Sequence, residues 1–203
     1  MAAPANEPSY EPSFDLLGKI DWPWTAQMAL DLLPENNGPK VEVLYGSVVV
    51  SPHAGIDHQT IELELAFRLR QAARAVGLWV YPEANIVSGD NLFIPDFVVL
   101  RRSGRGQAKM PISDAVLIGE IVSPGSRKKD LINRPREYAA AGVPFFMRVD
   151  FRNRIPAVVL HELVEGEYLP IAAVAAGGMF AMTKPFPFTV DPADLLDDEE
   201  PED

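Results

Sequence analysis

The chain has 203 residues, 47% of them hydrophobic and 23% charged, which supports a packed core in one domain or two small ones. The absence of cysteine excludes a disulfide framework, a thiolate metal site and a cysteine nucleophile, and three histidines (His53, His58, His161) leave little for a His-rich zinc site. The net charge of -11 argues against a general nucleic-acid binder, yet residues 191–203 hold eight acids and no base, and the first twenty residues add -2, so residues 21–190 carry only -1.

Residues 1–20, rich in Pro, Ala, Ser and Glu, read as a flexible arm. The start has neither a basic n-region nor an apolar h-region, and no run reaches ~18 apolar residues. No secretory signal, no membrane partner and a cytoplasmic location are therefore expected. Trp22 and Trp24 are expected to anchor the arm to the core. Thr25 can cap a short helix through Leu33, ended by Pro34 and the Asn36-Asn37-Gly38 turn. Val41–Tyr45 and Ser47–Val50 flank Gly46 as a β-hairpin.

Ile61, Leu65, Leu69 and Val76 fall at helical spacing, which predicts a helix over 57–76 with Gly77 as its stop. Strands are predicted over 78–87, 92–100 and 115–122. The last is almost wholly apolar, as a strand buried on both faces would be. A second helix should run to Ala141, with Pro135 in its first turn and Gly142 beyond its end. A strand over 145–151 and a hairpin of 158–162 with 167–172 complete an α/β domain spanning residues 21–190, followed by an acidic disordered tail over 191–203.

Three acids, Glu42, Asp96 and Glu120, interrupt apolar strands. Alternation puts Glu120 on one face with Val116, Ile118 and Val122. An unpaired buried carboxylate costs several kcal/mol, so such a group is paired, protonated or bound to a cation. If the strands are neighbours the carboxylates converge, and an all-oxygen cluster suits Mg²⁺ or Mn²⁺. The alternative is that each acid pairs with an arginine or sits at an exposed strand end.

The segment 123–130, Ser-Pro-Gly-Ser-Arg-Lys-Lys-Asp, enters the second helix just after Glu120 and precedes Arg134 and Arg136. Ser123, Arg127, Lys128 and Lys129 are there candidates for holding phosphate oxygens, or simply a solvated turn. Arg101, Arg102, Arg105 and Lys109 read as a surface loop able to touch a nucleic-acid backbone without specificity. His58 opens the long helix, where it is either structural or turned to the acidic site. No Ser–His–Asp pattern or phosphate-binding glycine loop is present.

Glu42 through Ser51-Pro52, then His58-Gln59, Pro95-Asp96, Glu120-Ile-Val-Ser-Pro-Gly-Ser and Tyr138-Ala-Ala-Ala-Gly-Val-Pro resemble the Uma-type restriction endonuclease family of the PD-(D/E)XK, or restriction-endonuclease-like, superfamily. Order and spacing hold from residue 24 to residue 172, and the stretch 134–144 resembles actinobacterial members in particular. The resemblance implies an α/β core with a mixed sheet flanked by helices and an N-terminal β-hairpin. It further implies a Mg²⁺- or Mn²⁺-dependent endonuclease hydrolysing DNA, often paired as a homodimer. Asp96 matches the Asp of the Pro-Asp motif, Glu120 the acid of the (D/E)XK motif and Glu42 the glutamate of the hairpin strand; these would hold the metal. The superfamily's lysine two residues after the acid is here Val122. The lysine that the family carries four residues before the tyrosine is here Arg134, which would serve as the catalytic cation. Ser47 stands where an acid is common. These departures leave room for a weakened or retired nuclease that binds nucleic acid or protein, and for different chemistry on the same scaffold.

Overall fold

The computed structural model describes residues 13–19, 21–34, 39–122, 133–152 and 155–196. In chain order its helices are α1 (Ala26–Leu32), α2 (Ile56–Arg74) and α3 (Arg134–Ala140). The strands are β1 (Lys40–Leu44), β2 (Ser47–Ser51), β3 (Trp79–Pro82), β4 (Ile86–Ser88), β5 (Asn91–Phe93), β6 (Phe97–Leu100), β7 (Met110–Pro111), β8 (Ala115–Val122), β9 (Phe145–Arg152), β10 (Ile155–Val164), β11 (Glu167–Ala175), β12 (Phe180–Met182) and β13 (Phe188–Val190). The chain divides into two compact units, Met1–His53 with Gly89–Phe93, and Ala54–Ser88 with Ile94–Asp203.

In the first unit, part of the expected arm forms a 3₁₀ turn, Phe14–Gly18, capped by the Ser13 side chain and holding Leu16 in the interior. Thr25 caps α1, its hydroxyl accepting from the Met28 N–H at 3.1 Å. The predicted hairpin is present: β1 and β2 pair antiparallel around Tyr45 (φ 51°) and Gly46 (φ 78°), a two-residue turn whose left-handed backbone matches strand twist. Gly46 is required twice over, because a Cβ there would lie 2.7 Å from the Pro23 Cβ. β5 pairs with β1 through Leu92 and Val43. Trp24 is buried, whereas Trp22 is 63% exposed.

The second unit is built on a six-stranded mixed sheet, ordered β11-β10-β9-β8-β6-β3, in which only β8 and β9 run parallel. The apolar stripe of α2 (Ile61, Leu65, Leu69, Ala73) packs with Phe97, Leu117, Ile121, Met147 and Val149 in one core. Gly77, at φ 75°, stops the chain beyond α2 as predicted. Leu117 and Ile121 face α2, so the intervening Glu120 turns with Ile118 and Val122 to the opposite face. There Tyr138 of α3 packs on Phe146 at 6.1 Å between ring centroids, and Phe146 in turn meets His161 and Tyr168 at 5.6 and 5.5 Å.

Burial lowers the His161 pKa below its ordinary 6.5; the Phe146 carbonyl raises it, Arg148 lowers it further and Asp150 raises it. The unfolded chain therefore takes up this proton more readily than the folded one. The resulting stability is complete above about pH 6.5 and is lost as pH falls through that value toward the lower folded pKa. Urea unfolding of His161→Gln should show a flatter loss of stability between about pH 7 and pH 5 than the wild type; coincident profiles would remove His161 as the cause.

Two expected strands prove to be four. The run 78–87 breaks at Glu83, whose φ of 41° ends β3, and its N–H donates to the Asp96 carbonyl at 3.1 Å. The run 92–100 breaks at Pro95, which cannot donate to a ladder, and β5 and β6 lie in different sheets. The hairpin β12–β13 was not anticipated. The first residues of the acidic segment are ordered: Asp191 caps a 3₁₀ turn, Pro192–Leu195, whose Leu195 is wholly buried in the core of the second unit. The count of acids hid the apolar Pro192 and Leu195. The expected turn at 36–38 lies outside the described residues, and among those described no helix is long and apolar enough to cross a membrane.

Candidate active site

β6 and β8 run antiparallel with Phe97 opposite Gly119; Asp96 immediately precedes Phe97 and Glu120 immediately follows Gly119. Gly119 makes the approach possible: the Phe97 ring lies over its Cα, and a Cβ would come 1.9 Å from Cζ of that ring. Both carboxylates are nearly enclosed, Asp96 at 5% and Glu120 at 4% exposure. Each is held by the protein. Asp96 Oδ2 accepts from the Ile121 N–H at 2.7 Å and lies 3.2 Å from His58 Nε2. Glu120 Oε1 accepts from the Tyr138 hydroxyl at 2.5 Å. Burial is thus matched by charge-assisted hydrogen bonds, which is how a protein keeps an interior carboxylate in one orientation.

His58 occupies the first turn of α2, and its other ring nitrogen, Nδ1, lies 3.8 Å from Glu62 Oε2. His58 thus bridges Asp96 and Glu62 from the start of α2. Arg134 and Tyr138 are four residues apart, on the same face of α3, and both are buried. Tyr138 reaches Glu120, while Arg134 is 1% exposed. Tyr138 was not among the predicted site residues; its signal was the four-residue spacing from Arg134, but only the sheet register reveals what the hydroxyl meets.

Glu42 belongs to the first unit, fully buried at the centre of β1 opposite Val49. Ser123, Arg127, Lys128 and Lys129 lie outside the described residues. Arg101 and Arg102 are committed to their own loop: Arg101 Nη1 donates to the Ser113 and Ala115 carbonyls, and Arg102 Nε pairs with Asp114 at 2.5 Å.

Among the described residues no group of three or more His, Asp or Glu side chains is placed to hold a metal ion. Two enclosed carboxylates still supply the donor type that Mg²⁺ prefers, hard oxygens, and this ion is commonly held by one or two carboxylates with water and substrate phosphate completing the shell. On donor chemistry Asp96 and Glu120 fit a divalent cation.

A mixed sheet flanked by helices matches the restriction-endonuclease-like architecture. The family model for Uma2, described as "Putative restriction endonuclease", matches residues 26–193, and the chain belongs to that family. Its fold is similar to a crystal structure from Anabaena variabilis, described as a "putative nuclease belonging to DUF820". The TM-score is 0.59 at 18% identity, over 77% of this chain and 86% of that one. No curated protein matches.

Proposed function

We propose that the protein is an endonuclease that hydrolyses DNA phosphodiester bonds with Mg²⁺ or Mn²⁺ held by Asp96 and Glu120. The observation that supports this reading is a pair of enclosed carboxylates, Asp96 just before β6 and Glu120 within β8, each fixed by a named donor. The cation would supply Lewis acidity toward water and offset charge gathering on the scissile phosphate. The chain's own residues do the positioning. The Ile121 N–H and His58 hold Asp96, and the Tyr138 hydroxyl fixes the rotamer of Glu120. Glu42 remains a candidate by family resemblance, to be tested separately because it belongs to the other unit. Ser123, Arg127, Lys128 and Lys129 are proposed to contact backbone phosphates, each such contact adding to the salt dependence of binding.

A second reading, a binding module without cleavage, is favoured by one feature: Val122 and Arg134 stand at the two positions where a water-activating lysine would be found. Arginine stays protonated and cannot take a proton from water.

Calorimetric titration of Mn²⁺ separates the two without a guess about the DNA sequence. The wild type is expected to bind, and Asp96→Asn/Glu120→Gln is expected to lose binding while unfolding at a similar temperature. A wild type that binds Mn²⁺ neither alone nor with duplex DNA would leave the binding module as the better description.

A further inference from the structure

A phosphodiester transition state gathers negative charge that carboxylates cannot offset, and fixed cations at that point are worth large factors in rate. In this chain the expected position for that cation, two residues beyond Glu120, is the buried aliphatic Val122. The neighbouring strand supplies an alternative. β9 runs parallel to β8, and its register sets Arg148 beside Glu120 and Asp150 beside Val122. Paired residues on adjacent strands project from the same face of a sheet, so Arg148 stands next to Glu120 on the side facing α3.

Two further observations single out this arginine. Its Nε donates to Asp150 Oδ2 at 2.9 Å, which braces the guanidinium plane through its inner nitrogen, and a planar fork so held suits phosphate oxygens. Its side chain is 27% exposed, whereas Arg134 is 1% exposed. A group that is to meet a substrate phosphate must be reachable. On the far side of β9, Val159 of β10 pairs with Arg148 and is only half-buried, so this part of the sheet face is not sealed.

We infer that Arg148 is a phosphate-contacting catalytic residue, its guanidinium braced by Asp150 and placed beside Glu120, where it supplies the charge that a lysine at position 122 would have supplied. The inference rests on the nuclease reading and goes beyond it by assigning the cation.

The test uses the full chain and three readouts: anisotropy of a fluorescein-labelled DNA duplex in EDTA over a range of salt, calorimetric Mn²⁺ binding, and plasmid cleavage. Arg148→Gln is expected to lower the slope of log affinity against log salt by about one, because one phosphate contact is lost. Cleavage should fall by about 10²-fold, and Mn²⁺ binding should not weaken. Arg148→Lys should restore the salt slope but only part of the cleavage, since lysine keeps the charge and loses the brace to Asp150. An arginine that merely ties β9 to Asp150 would leave the slope where it was. A wild-type salt slope in folded Arg148→Gln overturns the assignment, whatever its rate. A wild type that neither binds Mn²⁺ nor cleaves overturns the nuclease reading, and this role with it.

Discussion

Asparagine at position 96 is expected to lower DNA cleavage on the order of 10³-fold while the protein stays folded. The side chain keeps its size and one carbonyl oxygen, so the Ile121 N–H, now 2.7 Å from Oδ2, retains an acceptor. What is lost is the negative charge that a cation would need and the charge-assisted part of the contact to His58. The stability cost should be about 1–2 kcal/mol, the difference between a hydrogen bond to a charged group and one to a neutral group. Asp96→Ala makes the contrast: it leaves the Ile121 N–H without that acceptor and takes one carboxylate from His58, and should cost about 3 kcal/mol as well as the activity. Urea unfolding alongside plasmid cleavage separates the two effects. Equal cleavage by the wild type and Asp96→Asn would remove Asp96 from the chemistry.

The second large effect is purely one of packing. Gly119→Ala should destabilise the second unit by about 3 kcal/mol, because the new methyl would overlap the Phe97 ring at 1.9 Å from Cζ and at 2.3 and 2.4 Å from its neighbours. Phe97 is wholly buried against the α2 side of the sheet and has nowhere to turn. Shortening the ring gives relief: Gly119→Ala/Phe97→Leu should lose less stability than the two single changes added together, a coupling expected for residues in contact. Strict additivity in chemical denaturation would show that the ring is not what demands glycine.

What could be read from the chain in advance was local. Alternation and turn residues located the β1–β2 hairpin, the helical stripe of Ile61, Leu65 and Leu69 located α2, and the unbroken apolar run located β8. The divisions at Glu83 and Pro95 were harder, because the apolar pattern continues through both while the backbone does not. The site was legible as residue types only. Asp96 and Glu120 announced themselves as acids in apolar strands, and His58 as a histidine at a helix start. Tyr138 and Arg148 did not, since each owes its place beside Glu120 to a partner from a different element: an α3 hydroxyl in one case, a parallel neighbour strand in the other. Such register-dependent neighbours have no signature in a single strand's pattern. Arg148 and Asp150 do alternate with apolar residues along β9, a sign of a polar face but not of what that face meets.

The C-terminal 3₁₀ turn has a practical consequence for any attempt to trim the molecule. Leu195 fills the interior, and Asp194 lies 3.5 Å from Arg68 of α2. A chain shortened after Val190 would thus open a hole under α2 as well as shed charge, and a changed affinity for DNA could not be ascribed to electrostatics. Shortening after Leu196 keeps that plug and still removes six of the eight terminal acids, Asp197, Asp198, Glu199, Glu200, Glu202 and Asp203.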